Sequence, residues 1–363
     1  MRTKYVWVCM LFTLLLASCG GKKEKKSYDE MGSNGLTTRT ENLQTNLRSF
    51  MNMGIIVGQQ YATLEGIGWR GDKDRSDIHS ICDDRPGCIG YELAGIESGK
   101  KINTDSISFD AIRKDMLNNF RHGALLLATW TLPDFNNNDE QLENYTKKMA
   151  TYLASIQDGY GIKAPMVLFL YPLGGNHWYD KLSAEDYLNL YNKTAKLLRD
   201  ADVTNVIFGY SYAGVTDAQT FAGRIADDVD VVNLTLLATQ TNVKTAANAM
   251  TAYAAQLKQM TQILTHAAQE RNMAAGLTTG MEGIADSTYF SSILMPVLGQ
   301  SRLSYVMFGA NYGEPKQNHC YIPYPGGGNA KINDFMSLYN NKMMIFLKRL
   351  NGLYLDHDAS SKN

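Results

Sequence analysis

The sequence has almost no net charge. Its 35 Lys and Arg against 36 Asp and Glu leave a formal charge of −1. It therefore lacks the basic surface with which proteins meet nucleic acid, and no nucleic-acid partner is expected. It also lacks metal-site spacing. There is no CxxC and no histidine cluster, so no metal and no cofactor are expected. No internal repeat and no second linker divides the chain. No glycine-rich nucleotide loop follows the first strand-like run, which counts against an open doubly wound sheet. Cysteine is scarce, at 5 residues. Setting aside Cys9 and Cys19 near the start, Cys82, Cys88 and Cys320 remain. In an oxidising compartment Cys82 and Cys88 can close a short loop over residues 83–87, or all three can stay as thiols. The spacing leaves both open.

What is present begins with a targeting segment. Arg2 and Lys4 precede an apolar stretch, residues 6–16, that is too short to span a membrane as a helix and has signal-peptide flanks. "LASCG" then has the form of a bacterial lipobox, with cleavage before Cys19 and acylation of its sulfur. The expected organisation is a lipoprotein signal peptide at 1–18, a flexible tether at 19–35, one globular domain at 36–355 and a polar tail at 356–363. A lipid anchor places the protein in the bacterial cell envelope, with the outer membrane the expected site and its face left open. The Lys-rich start of the tether has no apolar periodicity, as a linker should not.

Through the globular part, short apolar runs alternate with amphipathic segments. The runs are 54–58, 88–91, 124–128, 166–170, 206–210, 229–232, 274–277 and 305–308. Each is bounded by polar residues or glycine, as buried parallel strands are when both faces are covered. Helices are expected at 109–121, 144–157, 183–199 and 241–271, with Ser183 as an N-cap and Asp186 at the third helical position. Eight strand–helix alternations predict a single-domain α/β fold, the (β/α)8 TIM barrel, whose function sits at the C-terminal strand ends.

Those strand ends are rich in aromatics and amides. Trp69, Glu97, Trp130, Asn176, His177, Trp178, Tyr179 and Tyr212 all follow apolar runs. Such a mixture suits sugars, because ring faces stack on C–H faces while amides and hydroxyls bond the sugar hydroxyls. The three tryptophans are expected to line one groove. Glycoside hydrolysis would need two carboxylates facing each other across it. Yet the fourth strand end offers Gly174 and Gly175, and the seventh offers Thr278 and Thr279, with Glu282 a little further on.

In these segments the sequence resembles glycoside hydrolase family 26, best known for endo-β-mannanases. "FLYPLGGN" is similar to the family's fourth-strand segment and "AAGLTTGMEGI" to its seventh. "AEDYLNLYNKTAKLLRDADVTNVIFGYS" falls between them, and "SYVMFGAN", "HCYIPYPG" and "DFMSLY" follow in the family's order. The resemblance implies a barrel, a β-mannan-like polysaccharide or oligosaccharide as partner and, by association, other polysaccharide-utilisation proteins. It also implies where the catalysis should be. The family's acid/base glutamate falls on Gly175 and the histidine before it on Gly174. The arginine ahead of that pair falls on Tyr171, and the nucleophile falls on Thr279 or, with a one-residue gap, beside Thr278. The reading that follows is a carbohydrate-binding lipoprotein without catalysis. The alternatives are an endo-β-1,4-mannanase-type hydrolase whose carboxylates have moved, with Glu282, Asp180, Glu92 and Glu97 as candidates, and a scaffold with a vestigial groove.

Overall fold

A computed structural model describes residues 30–239 and 249–356. The signal peptide, Cys19 and nearly all of the polar tail lie outside the described residues, as does the tether before residue 30. Eight parallel strands close into a barrel: β1 (Ile55–Gln60), β2 (Cys88–Glu92), β3 (Leu125–Trp130), β4 (Met166–Leu170), β5 (Val206–Ala213), β6 (Val229–Ala238), β7 (Ala274–Met281) and β8 (Tyr305–Phe308). Closure is made by β8 on β1, where Ile56 pairs with Tyr305 and Gln59 with Phe308. All eight fall on the apolar runs read from the sequence. β1, β2 and β3 run one or two residues past those runs, whereas β5, β6 and β7 continue further through polar residues, and β6 and β7 stay paired up to Ala238 and Met281.

Side chains alternate across each strand, so every other residue points into the barrel. Ile56, Cys88, Leu125, Leu127, Val167, Phe169, Ile207, Val231, Ala274 and Tyr305 fill the interior. Two glycines make room for rings there. A Cβ on Gly276 would fall 1.8 Å from the Tyr305 ring, and one on Gly209 would fall 2.4 Å from Phe169. The residues of opposite parity form a larger apolar layer beneath the helices.

The helices around the sheet have ordinary caps. Ser183 accepts from the Asp186 amide at 3.1 Å and starts the helix Ala184–Asp200 where expected. Phe109–Arg121 also matches its expected span. The next helix runs Asp139–Ala154 rather than 144–157, because Asn138 caps it at the Gln141 amide and its first turn is acidic. Within the expected 241–271 helix, the described part is Ala249–Glu270.

A first helix, α1 (Thr38–Met53), precedes β1 and closes the N-terminal end of the barrel. Leu43, Leu47 and Phe50 join the interior cluster from below. Asn46 donates to the carbonyls of Gly352, Leu353 and Leu355, and the Tyr354 hydroxyl donates to Ala124 O at 2.7 Å, so the two chain ends lock the same face.

The described cysteines are unpaired. Cys88 points into the barrel interior, whereas Cys82, at the end of helix Asp77–Cys82, lies in the outer layer. The sheet itself separates them, which is why a short sequence gap does not become a bridge. Burial pushes the Cys82 and Cys320 thiols up to about 11, so both are neutral at ordinary pH.

Candidate functional site

At the C-terminal end of the barrel a cavity of about 110 Å³ takes residues from all eight strands or the turns just after them. Its lining includes Gln60, Thr129, Pro172, Ser211, Asn233, Thr235 and Thr278. None of these ionises. Ser211, Asn233, Thr235 and Thr278 are joined by neutral hydrogen bonds centred on Asn233, while Thr129 donates to the Glu92 carboxylate at 2.6 Å. The Asn233 amide donates to Ser211 Oγ at 2.9 Å and to Thr235 Oγ1 at 3.2 Å. Its carbonyl accepts from the Tyr305 hydroxyl at 3.0 Å and from Thr278 Oγ1 at 3.3 Å. A network this complete holds its members in place and leaves no buried charge to be balanced.

Strand parity resolves the one-residue ambiguity on β7. Thr278 is the residue that enters the cavity. Thr279 points the other way, donating to Leu236 O at 3.0 Å and meeting the Tyr253 hydroxyl at 2.6 Å. The groove-facing position opposite Gly175 is therefore Thr278, and Thr279 belongs to the outer layer. Gly175 itself is exposed. The nearest atoms to a Cβ there are those of the His177 ring, at 2.3 Å, whereas one on Gly174 would fall 2.4 Å from the carbonyl oxygen of Ala213, at a φ of +86°. Tyr171, with a φ of 53°, turns out of the barrel and buries its ring in the outer layer, its hydroxyl on Thr194 Oγ1 at 2.8 Å.

Carboxylates are plentiful nearby, but each is engaged. Asp77 accepts from Trp69 Nε1 at 2.8 Å, the Ile67 amide at 3.1 Å and Asn311 Nδ2 at 2.8 Å. Glu97 accepts from the Gly95 amide at 2.9 Å, Ser98 Oγ at 3.0 Å and Trp130 Nε1 at 3.2 Å. Asp180 caps its own loop through the amides of Gly174 and His177. Glu282 meets His319 Nδ1 at 2.5 Å, and that imidazole stacks on Tyr312 at 4.5 Å. Glu92 is the one at the mouth. It is half-buried, accepts from Thr129 Oγ1 at 2.6 Å and from the Ala94 amide at 2.8 Å, and desolvation lifts its carboxyl to about 7.

The three tryptophans do not share a groove. β3 runs on through Trp130, whose parity is outward, and the side chain is wholly buried. Trp69 is buried on the other side of the barrel against Asp77. Trp178 is half-buried and donates to Leu132 O at 3.0 Å. Trp130, Tyr171, Tyr179 and Trp178 form a chain of ring contacts at 5.6–5.7 Å, with His177 stacked on Tyr179 at 5.0 Å, behind β3 and β4 rather than at the mouth. Tyr212 has outward parity too, and Asn176 is exposed on the loop.

The groove continues elsewhere. Gln60 lines both the small cavity and a larger one, of about 430 Å³, over β8 and β1. There Tyr312 is 40% exposed, enough to offer a ring face, beside Tyr321, Arg70, Asp105 and Ser106. Arg70 is paired with Glu65 through Nε at 2.9 Å, and Asp105 accepts from the Tyr61 hydroxyl at 2.8 Å. Tyr312 follows the eighth apolar run but is not among the candidate site residues of the sequence. The others sit in loops whose reach only the closed barrel defines.

No family model matches the chain, and no curated protein sequence matches it. Solved structures do. A glycoside hydrolase family 26 β-mannanase from Bacteroides ovatus is 28% identical, with a TM-score of 0.81 over 88% of this chain and 98% of that one. The catalytic domain of a Bacillus family 26 endo-β-1,4-mannanase is 18% identical, with a TM-score of 0.76 over 89% and 95%. A family 26 protein from Muricauda is 22% identical, with a TM-score of 0.74 over 88% and 94%. The last two show the fold alone. The chain thus has a mannanase-like, glycoside-hydrolase-type barrel.

Proposed function

We propose that the protein binds a β-mannan-like polysaccharide at the barrel mouth and does not hydrolyse it. The observation that carries this reading is the neutral β4 to β7 side of the mouth, where the resemblance implies the catalytic pair. Protonating a leaving glycosidic oxygen needs an acid on one side of the bond, and stabilising the developing oxocarbenium ion needs a carboxylate on the other. Gly175 and Thr278 supply neither, while hydroxyls, amides and the Tyr312 ring remain to bind sugar. The test is incubation with a polysaccharide panel, reading both retention and reducing-end release. Retention of mannan or glucomannan without release is the expected result. Release at a rate typical of mannanases would end the reading. Gly175→Glu with Thr278→Glu is expected to recover traces of hydrolysis at most, because acid/base groups contribute about 10² to 10⁴ only when correctly placed.

One observation favours a second reading, a hydrolase with a relocated acid. Glu92 sits at the mouth with its carboxyl near 7, the range useful to a general acid. An activated aryl mannoside, which needs little acid assistance, separates the two. Turnover abolished by Glu92→Gln or Glu282→Gln establishes the hydrolase, and no turnover leaves binding.

The proposal extends to location. Acylation of Cys19 would hold the barrel on a bacterial envelope membrane, in company with other polysaccharide-utilisation proteins. Cys19→Ala is expected to release the protein from membranes. Unchanged membrane fractionation and lipid labelling in that variant would remove the anchor.

A further inference from the structure

A second cavity lies on the flank of the barrel, apart from the mouth. It has about 420 Å³ and sits between helices Asp139–Ala154 and Ala184–Asp200 and the loops that lead into them. Its floor is apolar: Trp178, Phe135, Leu142, Leu182 and Leu190. Phe135 meets the Trp178 ring edge-on at 5.5 Å, and the indole N–H is held by Leu132 O. The indole is therefore fixed in place while part of its surface stays open to the cavity.

The rim is polar. Asn137 and Asn189 are exposed, on opposite sides. Lys193 Nζ and Asp139 Oδ1 pair at 2.6 Å between the two helices, and the exposed Asp186 also lines the cavity, so the rim carries one acid in excess of its paired charges. The loop bearing Asn137 has two successive left-handed residues, Asn136 at φ 51° and Asn137 at φ 55°. It presents its amide from a defined turn, a conformation asparagine tolerates better than most residues.

We infer that this flank cavity is a second carbohydrate site, which takes another stretch of the same neutral polysaccharide. The inference rests on the reading of the protein as a glycan binder. A rigid indole and aliphatic floor suit the C–H face of a pyranose, and amides with a paired Lys–Asp edge suit its hydroxyls. Its volume is in the range of ligand pockets. It also gives the aromatic cluster behind β3 and β4 a role that the mouth does not assign it. Two sites on one polymer raise avidity with no new contact at either, since the second binding event becomes intramolecular.

The experiment is calorimetry and tryptophan fluorescence on the purified chain with β-1,4-mannohexaose. Trp69 and Trp130 are buried, so Trp178 is the described tryptophan able to report a ligand directly. The wild type is expected to take two equivalents and to change its emission. Asn189→Arg lays a long side chain over the cavity from an exposed helical position, leaving the core untouched. It is expected to remove one equivalent and the fluorescence change, and to weaken retention of long mannan about tenfold. Trp178→Phe is expected to weaken the same equivalent while the folded state, followed by circular dichroism, is kept. Tyr312→Ala should weaken the other equivalent and leave the emission response in place. A single equivalent that ignores Asn189→Arg and disappears with Tyr312→Ala overturns the flank site and leaves the mouth reading standing. No binding of mannohexaose by any form, with no glycan of the panel retained, overturns both.

Discussion

The two halves of the barrel mouth are made of different material. The half formed by β1 to β3 and the loop after β8 is crowded with carboxylates: Glu65, Asp77, Glu92, Glu97 and Asp105, with Glu282 reaching over to His319. The half formed by β4 to β7 is neutral where it lines the cavity, with Ser211, Asn233, Thr235 and Thr278 behind Gly174 and Gly175, and its one carboxylate named above, Asp180, is turned onto the amides of its own loop. In the first half the acids are saturated by indole, amide and hydroxyl donors, so they hold loops in place. In the second, where the resemblance implies a catalytic pair, polarity is kept and charge is gone. A barrel can thus be rich in acids and still present none across a sugar-sized gap. What matters is which arc bears them and how many donors each already serves.

Four tests, the second a pair of glycine substitutions, would break or sharpen this contrast. Asp77→Ala should have the largest effect. It leaves the donors of Trp69, Ile67 and Asn311 buried without an acceptor, and it is expected to cost about 3 kcal/mol in urea unfolding. Unchanged stability would mean that the acid-rich half is not held by its acids. On the neutral half, Gly174→Ala puts a side chain at φ +86° against a backbone carbonyl, with an expected loss of about 2 kcal/mol. Gly175→Ala meets a side-chain ring, that of His177, and no backbone among its nearest atoms, and should cost under about 1 kcal/mol by the same measurement. Equal costs would remove the distinction between a glycine the backbone needs and one it merely contains.

The third change concerns pH. Burial raises the Glu92 carboxyl from 4.5 to about 7, so the folded state binds the extra proton between those values. The contribution is fully present below about 4.5 and is lost as pH rises through 7, the sign required when the native state holds more protons. Glu65, Asp115 and Asp230 are also raised by burial and act in the same direction. Glu92→Gln mimics the protonated acid and should flatten the decline between pH 5 and 7 by about 1 kcal/mol, allowing for partial exposure. An unaltered slope would show that Glu92 does not titrate there. Thr278→Val should have the smallest effect, about 0.5 kcal/mol by thermal unfolding, for one neutral hydrogen bond to Asn233. A much larger loss would mean the neutral network is more rigid than its bond lengths suggest.

The barrel was legible in the sequence because buried parallel strands are apolar on both faces, and all eight runs fell on strands. The uncharged character of the fourth and seventh strand ends was legible too, as Gly174, Gly175 and Thr278. Orientation was not. Whether Trp130, Tyr212 and Thr279 face the mouth or the helices depends on where each strand stops. β3, β5 and β7 run further than their apolar cores suggest, through residues that alone look like loop. Trp130 was read by its position after an apolar run, but strand parity decided its direction, while Trp69 and Trp178 were turned by the loops that carry them. The Cys82–Cys88 question failed for the same reason, since the sheet that separates the two thiols is itself the missing information. Tyr312 and Arg70 became visible as groove residues only once β8 had closed on β1.

The helix that plugs the barrel floor also sets a direction for the whole molecule. The chain enters there: the Thr37 amide donates to Thr204 O at 3.0 Å in the turn that feeds β5, and residues 34–36 lie against that turn. Residues 30–37 therefore lie at the sealed floor and the mouth opens at the opposite end, so contacts made at one end of the barrel leave the other clear.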